Sequence, residues 1–201
     1  MPVDKAKEKE IEDQCRALIH MAKFPQAVKI MEEYRTPLQD FMGGFGQLHL
    51  DRELSAIYKM YENIPEQLRT LSAEFYIPAR EELAYMFLRG TNTIRKFMKK
   101  PTNIPGMTVG VAMIIMMNRA YQLVDIDDWK KKNISGVEIV DSKNDLCPEC
   151  RKLCGKYFWN DTIPALPNPK CSKTERPCLP LMIAVVGSEQ KSKKKGFFGL
   201  F

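Results

Sequence analysis

Five of the six cysteines in the chain fall between residues 147 and 178. They run Cys147-Pro148-Glu149-Cys150, then Cys154, and, beyond an aromatic turn at Tyr157-Phe158-Trp159 and the prolines Pro164, Pro167 and Pro169, Cys171 and Cys178. A CxxC pair lets two thiolates reach one cation from a single tight turn. A second pair, carried back by a proline-stiffened loop, completes a four-thiolate tetrahedral set of the kind zinc prefers. The predicted ligands of a structural zinc are therefore Cys147, Cys150, Cys171 and Cys178, with Cys154 as a substitute. Pro148 fixes φ early in the first turn and Gly155 ends the reversal. The six residues between Cys171 and Cys178 make a wider spacing than a regular zinc knuckle uses. Disulfides and redox-active or simply buried free thiols stay open as alternatives. The odd number of thiols in this window argues against a secreted disulfide framework, no secretory signal is read at the start of the chain, and a cytoplasmic location is expected.

The segment Leu146-Cys-Pro-Glu-Cys-Arg-Lys-Leu-Cys-Gly-Lys-Tyr-Phe158, followed by Ile163-Pro-Ala-Leu-Pro-Asn-Pro-Lys-Cys171, resembles the C-terminal Cys-rich segment of phage head-morphogenesis (minor head) proteins and related short bacterial domains. The resemblance implies a small metal- or thiol-stapled knuckle used for assembly, with Cys147, Cys150 and Cys171 as the matching positions. It is confined to residues 146–178. Two features depart from the pattern: Asn168-Pro169 stands where a histidine would precede Cys171, and Cys178-Leu179-Pro180 replaces a terminal Cys-x-Cys.

The cysteines need elements to hold them. With 201 residues, 44% hydrophobic and 28% charged, the chain can bury one ordinary core or two small ones. The pattern is mainly α, and residues 1–100 read as a multi-helix body. Ile11, Cys15, Leu18, Ile19 and Ala22 recur on one helical face, which makes Cys15 a core thiol. Pro25 and Pro37 each mark a helix start, and Gly43-Gly44-Phe45-Gly46 is a helix–helix connection lacking the Gly-Lys-Ser/Thr of a phosphate loop. A helix over 48–61 follows, with Leu50, Leu54, Ile57, Tyr58 and Tyr61 inward. Another is expected over 66–75, and Pro78 is read as opening a run from Ala79 to about Met98. Pro101 and Pro105-Gly106 look like a hinge, so residues 101–130 are read as a hinge followed by a methionine-rich apolar helix that packs on the body. The longest apolar run in it, Val109 to Met117, is far shorter than the ~20 residues of a membrane span, and a buried helix is expected.

Residues 131–186 form the Cys-rich module. Val137, Ile139 and Val140 suggest a strand entering it, residues 181–186 a strand leaving it, and the two should pair. Such a ribbon buries too little apolar surface to stand alone, which is the physical reason for a metal. Residues 187–201 form a polar, basic tail, expected to be disordered, that ends in aromatics. Lys193, Lys194, Lys195, Phe197, Phe198, Leu200 and Phe201 are its candidate contacts with a partner protein, a second copy or, peripherally and through residues 191–201, an anionic membrane surface.

No catalytic residue is assigned. His20 and His49 have no spacing to a nucleophile, and Asp125, Asp127 and Asp128 lack the glycine and distant glutamate of a calcium loop. The formal charge of +6 is concentrated in the tail and does not make the whole surface basic. The reading that follows is a non-catalytic zinc-binding assembly or adaptor protein. Two alternatives accompany it. One is a helix-turn-helix-like nucleic-acid-binding regulator using Arg89, Arg95, Lys96, Lys99 and Lys100, opposed by the carboxylates Glu81 and Glu82 on the would-be recognition helix. The other is a CxxC thiol redox protein.

Overall fold

The computed structural model describes residues 5–39, 46–90, 93–141, 145–173, 175 and 177–185, and no side chain between 33 and 49. Helix α1, Lys5–His20, turns Cys15 and Ile19 inward and ends before Ala22. Ala22 does not join that face. It is exposed, at a φ of 55° in a tight reversal closed by the Lys23 N–H on the Leu18 carbonyl at 2.8 Å. Helix α2, Phe24–Gln39, runs through Pro37, so the expected second start there is absent. Residues 43–45 of the glycine connection lie outside the described residues, and Gly46 opens α3, Gly46–Glu62.

Pro78 does not begin a helix either. It sits inside α4, Ala73–Arg89, preceded by a 3₁₀ turn at Glu66–Leu68 instead of a helix over 66–75. A proline inside a helix removes one N–H and crowds the carbonyl four residues back. Pro78 and Glu74 are both exposed, so the freed Glu74 carbonyl lies on the side open to water. Gly90, at φ 69°, stops α4, and only a 3₁₀ turn follows at Ile94–Phe97. The run to Met98 is not formed. The two short helices about Pro78 on which the helix-turn-helix reading rests are replaced by one.

The stretch read as a hinge is a closed turn. Pro101 bridges Thr108, the Thr102 N–H meets the Met107 carbonyl at 3.1 Å, and the Val109 N–H meets the Lys100 carbonyl at 2.8 Å. Thr108 then caps α5, Val109–Lys131, by accepting from the Val111 N–H. Gly110 is required by a close approach: a Cβ there would lie 2.7 to 2.9 Å from Sδ, N and Cα of Met98. Met113 and Met116 are fully buried, and Met107 and Met117 pack on the same core, which runs from Cys15 on α1 to Val124 on α5. Among the described residues α5 is the one helix long and apolar enough, by length and composition, to cross a membrane. Here 61% of its most apolar window is covered by the rest of the chain.

Ion pairs lace the helices at their rims: Arg16 to Glu82 at 2.6 Å, Arg89 to Glu8 at 2.7 Å, Arg52 to Asp125 at 2.7 Å, and Lys59 to Asp127 at 2.6 Å. At such partly exposed positions each contributes up to about 1 kcal/mol. Asp125 and Asp127 are thus engaged at a helix end, and Asp128 meets Lys131 at 3.6 Å.

Beyond α5 the chain builds a three-stranded antiparallel sheet. Strand β1, Gly136–Val140, lies between β2, Lys156–Trp159, and β3, Leu181–Val185. The predicted pairing of the first and last strands is present, but Tyr157-Phe158-Trp159 is a strand and not a turn. Directly paired residues share a face of the sheet. Val137 and Ile139, both 0% exposed, line the inner face with Met182, whose sulfur meets the Gln122 side chain of α5 at 3.4 Å. Tyr157 and Trp159 project from the opposite face with their rings edge to face. The tail expectations for residues 187–201 fall outside the described residues.

Candidate metal centre

Cys147 is the extended residue preceding a one-turn helix, α6, Pro148–Arg151. A proline in the first helical position costs no hydrogen bond, because that N–H is unpaired in any helix. The Arg151 N–H closes the turn on the Cys147 carbonyl at 2.9 Å, and the Leu153 N–H meets the Cys150 carbonyl at 3.1 Å. Gly155, at φ 71°, then donates its N–H to the Ile139 carbonyl at 2.8 Å and hands the chain to β2. Cys147 and Cys150 are thereby held on one turn beside the end of β1.

The second pair arrives from the proline-rich loop. Asn168 arranges the approach: its side-chain N–H donates to the Glu149 carbonyl at 3.2 Å, its side-chain oxygen accepts from the Lys170 N–H at 3.0 Å, and its backbone carbonyl accepts from the Cys171 N–H at 2.9 Å. Lys173 bonds both the carboxylate and the backbone carbonyl of Asp145, tying the second cysteine segment to the first. The Cys147 N–H donates to Cys178 Sγ at 3.2 Å, and the Cys178 N–H donates to Cys171 Sγ at 3.4 Å. Sequence spacing named these four residues, and the structure brings all four together.

Their Sγ atoms lie within 4.8 Å of one another, with Cys147 and Cys171 at 3.9 Å. A tetrahedral thiolate site with metal–sulfur bonds near 2.3 Å has sulfur–sulfur edges of about 3.8 Å. The donor set therefore fits such an ion with small adjustments. All six cysteines are free, so no disulfide gathers these sulfurs. Cys147, Cys150 and Cys178 are buried, and Cys171 is half-buried at the rim.

The electrostatics of the cluster point the same way. Burial raises the Cys147 thiol, but hydrogen bonds from Cys150 and Ser172 outweigh it and bring it down to about 6. Cys150 is driven strongly up by burial and by the neighbouring sulfurs of Cys147, Cys171 and Cys178. Cys178 is pushed up by burial, against the hydrogen bond from the Cys147 N–H, and further up by Cys171 and Cys147. One thiolate forms readily, while Cys150 and Cys178 are pushed up first by burial and then by the neighbouring sulfurs. A divalent cation at the centre removes that conflict, because it neutralises the charge the sulfurs impose on each other.

Cys154 stands outside the group. Its Sγ lies 3.8 Å from the Cys150 carbonyl oxygen, and its thiol is raised by burial and then by Asp141. Cys15 is a core thiol 0% exposed, pushed up to about 11 by burial. His20 pairs with Glu81 at 2.9 Å on the surface of the helical body, while the side chain of His49 lies outside the described residues. Of the basic residues named for nucleic acid, Arg89 is engaged by Glu8 and Glu12, whereas Arg95, Lys96, Lys99 and Lys100 are exposed around the 3₁₀ turn. Lys193, Lys194, Lys195, Phe197, Phe198, Leu200 and Phe201 lie outside the described residues.

Three amides to which the sequence reading gave no structural role position the site. Gln122, 2% exposed on α5, donates to the Pro164 carbonyl at 2.7 Å and accepts from the Leu166 N–H at 2.9 Å and from Arg119. Gln67 donates to the Pro167 carbonyl at 2.7 Å. With Asn168 they bind the proline-rich loop to the helical body and to the first cysteine turn. An amide spaced helically with the apolar Ile115 and Ile126 of α5 was the available signal for Gln122. Comparison with family models, with curated proteins and with solved structures gave no match for this chain.

Proposed function

We propose that the chain is a non-catalytic assembly or adaptor protein in which Cys147, Cys150, Cys171 and Cys178 hold one structural zinc ion. The observation that carries this reading is the convergence of four sulfurs from two segments, buried at the end of a small sheet. Four soft thiolates in a tetrahedron suit zinc, and a site filled by four protein ligands leaves no open position for a substrate or water. That makes the ion a staple. It fixes the turn after β1 to the segment before β3, two parts of the chain joined otherwise by short strands and a long loop. The helical body supplies the rigid platform, and the basic-aromatic segment at residues 191–201 is the docking element, toward a protein partner, a second copy or a membrane surface. The resemblance to phage head-morphogenesis segments supports an assembly role. Reduced thiols agree with a cytoplasmic setting.

Metal analysis of protein purified without added metal tests the reading. One zinc per chain is expected, lost in Cys147→Ser and in Cys171→Ser and kept in Cys154→Ser. A metal-free parent would remove the proposal. The lowered Cys147 thiol favours one competing role, a CxxC redox pair. That role predicts no metal and a Cys147–Cys150 disulfide on oxidation, which peptide mass mapping detects.

A further inference from the structure

The outer face of the sheet carries a patch that the metal centre does not explain. Tyr157, Trp159, Leu181 and Ile183 are 40%, 45%, 52% and 51% exposed. The register makes them neighbours: Tyr157 and Ile183 flank Glu138 on β1, Trp159 lies beside Gly136, and Leu181 beside Val140. Together they expose roughly 400 Å² of side chain, the size of the largest apolar patch on a typical monomer, a patch that is often functional. The strand backbone is shaped around it, since a Cβ at Gly136 would lie 2.2 Å from the Phe158 carbonyl oxygen and 2.6 Å from the Tyr157 hydroxyl.

We infer that this face is the docking surface for the C-terminal segment of the chain itself, residues 191–201. The inference rests on the reading of that segment as a docking element and names what it docks on. Charge selects this occupant. Glu138 is exposed at the middle of the patch. A second sheet laid face to face would set two carboxylates against each other in an apolar interface, which is strongly unfavourable. A segment that joins cations to aromatics complements the face, and residues 191–201 carry Lys191, Lys193, Lys194 and Lys195 followed by Phe197, Phe198, Leu200 and Phe201. Reach permits it. The residues from Val185 to Phe197 can span roughly 40 Å, while three strands are about 10 Å wide. A tether of this length gives an effective concentration near the millimolar range, so even a weak contact keeps the face covered.

The test uses Trp159 as its reporter in a Trp129→Phe background, since the chain has two tryptophans. Acrylamide quenching is compared between the full chain and a chain ending at Gln190, with zinc content and circular dichroism recorded for each. Quenching should rise at least about twofold on truncation, and a synthetic peptide of residues 191–201 should reverse the rise saturably. Phe197→Ser/Phe198→Ser/Phe201→Ser and, separately, Glu138→Lys, both in the full-length chain, should behave like the truncation. Equal quenching in full and truncated chains that both hold zinc would overturn the inference and leave the metal reading standing. A metal-free parent would strike only the metal reading. Protection that fades on dilution would give the face to a second copy, and protection that appears only with anionic vesicles would give the segment to a membrane. Either result overturns docking in cis.

Discussion

Replacing Gln122 with methionine, a side chain of similar length without polar atoms, strips the junction between α5 and the proline-rich loop of its hydrogen bonds. The Pro164 carbonyl loses a donor at 2.7 Å and the Leu166 N–H loses an acceptor at 2.9 Å. Each buried backbone group left unpaired costs about 1–3 kcal/mol. Leu166 is 4% exposed, so its N–H bears the full penalty, whereas Pro164 is half-buried and its carbonyl recovers part of the loss from water. The sum is about 2–4 kcal/mol, equivalent to a fall of roughly 5–15 °C in the melting temperature of a chain this long. Urea denaturation measures the energy, and hydrogen exchange at the Leu166 amide locates it. A loss below about 1 kcal/mol, or an equal loss with Leu166 still protected, would refute the claim that this amide holds the Cys-rich module to the body.

Other expectations follow from particular contacts. Gly110→Ala should destabilise by about 1–3 kcal/mol in thermal unfolding, because its methyl group meets Met98 backbone atoms that cannot rotate away. The Tyr121 hydroxyl is raised above the ordinary phenol range by burial and then by its hydrogen bond to Glu53. A raised folded value means its contribution is complete below pH of about 10 and is lost as pH climbs toward that value, since the unfolded chain ionises first. Tyr121→Phe should therefore flatten the alkaline decline in unfolding free energy by up to about 1.4 kcal/mol per pH unit, read from denaturant midpoints on either side of pH of about 10.

Helical periodicity and cysteine spacing were the strongest signals in this chain, and both are local. The face through Cys15 and Ile19, the methionine-rich core helix and the four-cysteine set were legible because each follows from residue type at fixed intervals. The prolines misled for an equally physical reason. Pro37 and Pro78 were read as first-turn residues, yet both lie inside helices; Pro78 stays there on an exposed face, where the carbonyl it orphans is open to water. Strand β2 was hidden because four residues rich in aromatics after a glycine resemble a turn, and only pairing with β1, which lies on the other side of the first cysteine turn in the sequence, makes them extended. Gln67, Gln122 and Asn168 were illegible as a group: each is an ordinary amide alone, and their shared role exists only once the loop passes all three.

The placement of β1 at the centre of its sheet bears on how the protein is made. It is the first of the three strands to leave the ribosome, and its last neighbour, β3, follows a few seconds later at ordinary elongation rates. During that interval the nascent chain exposes one edge of a hydrophobic strand and lacks the last of the four clustered cysteines. An open strand edge is a template for pairing with another chain, so slowing translation between β2 and β3 should raise the aggregated fraction of newly made protein.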